Sequence, residues 1–270
     1  MQHVFETPGP VELRISIGAG NVQIETAERD RTEIELIALN RAAEEVIEQM
    51  SVTCDKRGDR YVVVVEEPKR GSWGFVQAIF NNAEIGVRVR CPEATDLELK
   101  TGSADGRVDG ALSSAQVKTG SGDMSFDTVS NDLSVQSASG DVTAGDVGGD
   151  CAVKTASGDV RVTSVDGELV ANLVSGDLNV DDARSSVTVQ SVSGDQRIGA
   201  ISSGEIKLQA VSGDVHVGVR PGLRLWIDAT SVSGDMSSEL DSVDAPSTES
   251  ELVQLRAKTV SGDVAIVRAA

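Results

Sequence analysis

Ser139-Gly140-Asp141-Val142-Thr143-Ala144-Gly145-Asp146-Val147-Gly148-Gly149-Asp150-Cys151-Ala152-Val153-Lys154-Thr155-Ala156 runs directly into Ser157-Gly158-Asp159-Val160-Arg161-Val162, where the same unit begins again. The turn starts at Ser103 (as Ser-Ala-Asp), Ser121, Ser139, Ser157, Ser175 and Ser193 at a constant spacing of 18, then at Ser212, Ser233 and Ser261 after gaps of 19, 21 and 28. A repeat this strict marks one supersecondary unit stacked on itself. Within the first unit the apolar or small residues are Val142, Ala144 and Val147, then Cys151, Val153 and Ala156; in the next they are Val160, Val162 and Val165, then Leu169, Ala171 and Val174. The second trio follows the first by nine residues, so each coil is two similar halves. Alternation of this kind describes half-buried strands, and a helix would need spacings of three and four. Gly122, Gly140, Gly158, Gly176, Gly194 and Gly213 supply the positive φ of a tight corner, and the flanking Ser and Asp can accept hydrogen bonds from nearby backbone. The reading is all-β: a right-handed parallel β-helix, a solenoid with 18-residue coils, each strand pairing one coil away at about 4.8 Å. Nine coils in chain order would span on the order of 45 Å.

The first hundred residues differ. Residues 11–17, 21–25 and 31–39 alternate as strands, and residues 42–50 have helical spacing at Val46, Ile47 and Met50. Residues 52–54 and 61–66 flank Asp55-Lys56-Arg57-Gly58-Asp59 as a hairpin. A solenoid needs a dissimilar cap over its first open edge. The expected organisation is therefore residues 1–84 as a β-rich N-terminal cap with one short helix and residues 85–270 as Ser-Gly-Asp coils. Residues 241–251 read as an acidic surface loop between the last two coils, with residues 264–267 closing the final one.

Composition narrows the function. With 43 acidic against 24 basic residues the net charge is −19, which excludes general nucleic-acid binding through phosphates. No signal-like stretch follows Met1 and no apolar run reaches the length of a spanning helix, so the sequence predicts a cytoplasmic protein, with peripheral membrane contact compatible with it. Cys54, Cys91 and Cys151 lack metal or redox spacing and fit a reducing compartment; a Cys54–Cys91 bridge is compatible with the sequence but not required by it.

Few residues suggest chemistry. Asp123, Asp141, Asp159, Asp177, Asp195 and Asp214 should stack at one corner as a ladder. Calcium is one reading of it, although one glycine per corner leaves out the carbonyl-rich loop of calcium-binding β-rolls; structural turns are the other. His3 and His216 support no catalytic triad, and Asp109 with Asp127 is a chance-level carboxylate pair for a polysaccharide-active β-helix. The outward stripe Lys118, Gln136, Lys154, Asn172, Gln190 and Gln209 is either a solvated face or a flat contact surface. Residues 70–82 hold Trp73, Phe75, Ile79 and Phe80 without strand alternation, and read as a lid or as an exposed apolar loop that docks a partner or dips into a membrane interface. The Arg57-Gly58-Asp59 tripeptide carries no assigned function.

The Ser-Gly-Asp-Val-x-Val coils, entered through Cys91-Pro92-Glu93-Ala94-Thr95-Asp96-Leu97-Glu98-Leu99-Lys100-Thr101-Gly102-Ser103, resemble the bacterial putative-adhesin or toastrack family. That resemblance implies a single-stranded right-handed β-helix without a recognised active site, in a family that often accompanies membrane-stress sensing and includes cell-surface members. The expectation is a non-enzymatic scaffold or protein-interaction module without cofactor, linked to envelope stress or surface adhesion, with a protein as its partner and a route to homo-oligomers through open solenoid ends. The alternatives are a calcium-stabilised adhesin-like repeat and a polysaccharide-active enzyme.

Overall fold

A computed structural model describes residues 1–68, 83–240 and 252–269. The aromatic segment singled out above, Trp73, Phe75, Ile79 and Phe80 included, lies outside the described residues. The chain divides into two compact units, Met1–Gly140 and Asp141–Ala270.

The first unit contains β1 (Gln2–Glu6), β2 (Val11–Ala27), β3 (Arg31–Ala38), α1 (Arg41–Ile47), β4 (Ser51–Arg57), β5 (Arg60–Glu66), β6 (Ile85–Pro92), β7 (Thr95–Ser121), β8 (Met124–Val129) and β9 (Leu133–Ser139). Strand β2 pairs in parallel with β7, from Glu12 opposite Asp96 to Glu25 opposite Asp109. It is already a coil: Gly20, at φ 125°, stands opposite Ala104 in the corner. Coil geometry thus begins at residue 11, ahead of the first Ser-Gly-Asp motif, because Val11, Leu13, Ile15, Ile17, Val22 and Ile24 supply the buried alternation without it. The other edge of β2 carries β5 and β6, also parallel. Those two strands are the halves of an outer coil, separated in sequence by residues 67–84. Antiparallel strands cover them, β4 on β5, β3 on β6 and β1 on β3. Helix α1 starts where the Asn40 side chain accepts the Ala43 N–H at 3.0 Å and buries Ala43, Val46 and Ile47. The expected helix and hairpin both form, while residues 11–27, which the sequence reading counted into the cap, are a coil.

In the second unit the strands run β10 (Val142–Val147), β11 (Cys151–Ser157), β12 (Val160–Val165), β13 (Leu169–Ser175), β14 (Leu178–Ala183) and β15 (Val187–Ser193). They continue as β16 (Gln196–Ile201), β17 (Glu205–Ser212), β18 (Val215–Val219), β19 (Arg224–Ser233), β20 (Met236–Ser238), β21 (Leu252–Ser261) and β22 (Val264–Arg268). Each pairs in parallel with the strand one coil on, Val160 opposite Leu178 and Leu169 opposite Val187. Two facing sheets result, with the core between them: Val160, Val162, Leu169, Ala171, Leu178, Val180, Val187 and Val189 are all buried. Burying one such aliphatic side chain stabilises by about 1.5–3 kcal/mol, which is enough to fix the register of every coil.

At the end of this unit spatial order departs from chain order. Strand β17 pairs with β21, and β21 with β19; β18 pairs with β22, and β22 with β20. The coil that is last in sequence, residues 252–268, is inserted between the coils of residues 205–219 and 224–238. The last coil in sequence is therefore not the outermost one, whereas the sequence suggested that coils stack in chain order. The reason is that coil-on-coil pairing is the same interaction at every level, and a 28-residue gap is long enough to let the chain step back over one layer. Residues 252–268 suit the inner slot, with Val253, Leu255, Ala257, Val264 and Ile266 all buried.

Candidate functional site

The corner ladder is the first arrangement the repeat builds. Gly176, Gly194 and Gly213 have φ of 122°, 125° and 135°, and a Cβ at Gly194 would collide with the carbonyl oxygen of Gly176 in the coil beside it. Glycine is therefore needed both for its backbone conformation and for the approach of adjacent coils. The aspartates tie these corners together. Asp159 Oδ1 accepts the Asp177 N–H at 3.0 Å, Asp177 Oδ1 the Asp195 N–H at 2.8 Å, and Asp195 Oδ1 the Asp214 N–H at 2.8 Å. The strap then follows spatial order, from Asp214 to Asp263 and from Asp263 to Asp235, each at 2.8 Å. In the first unit Asp105 holds Asp123 in the same way, and in the second Asp141 holds Asp159. The carboxylates bond the next coil rather than their own turn, which explains why like charges tolerate stacking: each satisfies a backbone donor. Among the described residues no group of three or more His, Cys, Asp or Glu side chains is placed to hold a metal ion.

A second arrangement lies on the outward face of the sheet formed by β13, β15, β17, β21 and β19. Ala156 and Val174 were expected inward, but both are exposed. The second half of each coil alternates strictly, so that Leu173 is the buried residue and Val174 points to solvent. Sheet register aligns Val174, Val192, Val211, Val260 and Val232, each preceding a corner serine. All five are exposed, from 49% at Val260 to 77% at Val232, and exposed aliphatic side chains in unbroken series are what distinguish this face from an ordinary solvated one. A parallel polar rail consists of Asn172, Gln190, Gln209, Lys258 and Thr230. Between the rails runs a groove of about 660 Å³ floored by Leu173, Ser191, Ala210 and Thr259. Four coil steps make it about 19 Å long. It has one aliphatic wall, one polar wall of three carboxamides with Lys258 and Thr230, and a floor of Leu173 and three smaller residues.

The remaining candidates are engaged locally. Asp109 accepts from Arg107 Nε at 2.7 Å, and Asp127 accepts the Gly110 N–H at 3.1 Å. His3 stacks on Phe5 in β1, whereas His216 lies on β18 with its pKa lowered from 6.5, first by burial and then by Arg197. Lys118 and Gln136 in the first unit and Lys154 in the second hold the corresponding outward position of their own coils, but two residues on stand Gly120, Ala138 and Ala156 where later coils have valine. The three cysteines are free. Burial raises the Cys91 thiol to about 11 and the Cys151 thiol to about 12, so both are unreactive core residues. The polar half of the groove was legible in the sequence as a stripe. The apolar half was missed because Val-Ser-Gly-Asp was counted into the core, although Leu173 beside Val174 left one of the two facing outward.

Among the described residues no helix is long and apolar enough to cross a membrane. Comparison with known proteins supplies the family. No curated protein matches the chain. Solved structures with similarity include a putative adhesin from Bacteroides fragilis, at 12% identity over 98% of this chain and 96% of that one, with a TM-score of 0.44. A putative cell adhesion protein from Clostridium sporogenes aligns at 10% identity over 99% of both chains with a TM-score of 0.28. A protein described as a putative lipid binding protein from Parabacteroides distasonis aligns at 12% identity over 97% of this chain and 96% of that one, with a TM-score of 0.36. The sequence profile of the Toastrack family, DUF4097, matches residues 11–267, nearly the whole solenoid with its capping strands, and the chain belongs to that family.

Proposed function

We propose that the protein is a non-enzymatic interaction module of the adhesin type, which holds an extended apolar segment of a partner protein in the groove between the valine and carboxamide rails. The observation that carries this reading is the unbroken exposed series Val174, Val192, Val211, Val260 and Val232 beside a polar rail in the same register. Solenoids present contact surfaces of this flat, repeated kind. The carboxamides give an extended peptide backbone donors and acceptors, and the valines give its side chains an aliphatic wall.

The test is affinity selection of a displayed peptide library on the intact protein, followed by binding of selected peptides to a Val192→Asp/Val211→Asp variant of unchanged far-UV circular dichroism. The expected result is selection of extended peptides with alternating apolar residues and a loss of at least tenfold in affinity in the variant. Selected peptides that bind the variant equally well would overturn the groove as the docking face. A fluorescent long-chain fatty acid is the second probe: its binding to the wild type and loss of that binding in V192D/V211D, without any peptide selected, assigns the groove to lipid instead. The aromatic residues Trp73, Phe75, Ile79 and Phe80 belong to the same proposal as a second docking element, and deletion of residues 72–82 tests it separately.

A further inference from the structure

The coil of residues 224–238 has neighbours on one side only among the described residues. Among the described residues β19 pairs with β21 and β20 with β22, and no strand or helix lies on their other edge. The inward positions of this coil are built like those of any other. Ile227 stands opposite Leu255 and Met236 opposite Val264. Yet Leu255 and Val264 are 0% and 1% exposed, while Ile227 and Met236 are 38% and 58% exposed. The outer coil of the first unit meets the same problem with antiparallel strands and α1. Here the sequence that follows, residues 241–251, brings Asp241, Asp244, Glu249 and Glu251 and little apolar surface. Acidic chain does not match an aliphatic core cross-section.

What matches is another coil edge. We infer that residues 224–238 form a self-association surface, on which a second copy of this chain seats its own terminal coil. Any two-fold axis lying across such an end sets the facing strands antiparallel, a pairing at least as stable as the parallel one inside the chain. The unpaired N–H and C=O groups of β19, ten residues long, gain partners, and Ile227 and Met236 enter a shared core. The arrangement is isologous and closed, so it stops at two copies. Because each chain carries a charge of −19, association strengthens as salt screens the repulsion, opposite to the behaviour of an interface held by ion pairs.

Sedimentation velocity of the full chain over a concentration series tests this. The expected species at high concentration has twice the 28.2 kDa of the chain, and its share grows with added sodium chloride. Ile227→Lys and Met236→Asp, each checked for wild-type circular dichroism, are expected to sediment as monomers. Ser238→Lys, at an exposed position of the edge strand opposite Ile266, gives the same readout with no apolar side chain removed. A wild-type protein that stays monomeric at every concentration and salt overturns the inference. So does a dimer that survives I227K, M236D and S238K, or one that V192D/V211D dissociates, since the contact would then lie elsewhere or in the groove. The groove assignment is tested by peptide affinity and the edge by mass, so failure of one leaves the other standing.

Discussion

Asp177 and Gly194 meet the demands of the corner from opposite sides. Glycine lets the backbone turn and lets adjacent coils approach; the aspartate of one coil then accepts the N–H that the next corner leaves without a sheet partner. The corner is exposed, so water can take the carboxylate's place, and the bond adds only the net contribution of an ordinary hydrogen bond. Asp177→Ala is therefore expected to destabilise by about 1 kcal/mol, whereas Asp177→Asn, which keeps an oxygen acceptor and relieves repulsion along the ladder, stays close to wild type. Gly194→Ala combines strain at positive φ with the clash against Gly176 and costs about 3 kcal/mol or more. Urea denaturation of the three variants checks the order. A larger loss for the Asn than for the Ala variant would show that the charge, and not the acceptor, matters.

At the scale of strands and coils, the repeat made most of the architecture readable. Strict 18-residue spacing fixed strand positions, corner glycines and parallel pairing one coil away, because each depends only on local alternation and turn chemistry. Two features stayed hidden for one physical reason: identical coils pair equally well with any neighbour, so sequence order does not dictate stacking order. Residues 11–27 lie between β5/β6 and β7, and residues 252–268 lie inside 224–238. The face of Val174 was hidden for a different reason, since near a corner a valine next to a buried leucine carries no periodic mark of its own. The inserted coil makes a measurable claim. Amide hydrogens of β21 and β22 are paired on both sides, and exchange in them is expected to be slower than in β19 and β20, although they lie nearer the C-terminus. Native-state hydrogen exchange read by mass spectrometry would refute the insertion if protection instead fell steadily from residue 205 to the chain end.

For the whole molecule the dominant quantity is the charge of −19, with seven corner carboxylates of the second unit, from Asp141 through Asp235, in one series. Self-repulsion of this size destabilises a compact state and is relieved by screening. A calcium-stabilised repeat would add a specific term to that, because an ion bridging successive turns binds only the folded chain and raises the melting temperature with its concentration. In this solenoid Asp159, Asp177, Asp195, Asp214 and Asp263 each commit one oxygen to a backbone N–H of the adjacent coil. An ion would have to compete with those bonds for its ligands. Thermal unfolding is therefore expected to shift upward with sodium chloride and to be the same in calcium chloride and in EDTA once ionic strength is matched. A rise specific to calcium, lost in an Asp177→Ala/Asp195→Ala variant, would replace the strap with a metal ladder and favour the calcium-dependent adhesin over the metal-free interaction module. Equal curves leave the corner as a hydrogen-bonded seam and concentrate recognition on the valine groove.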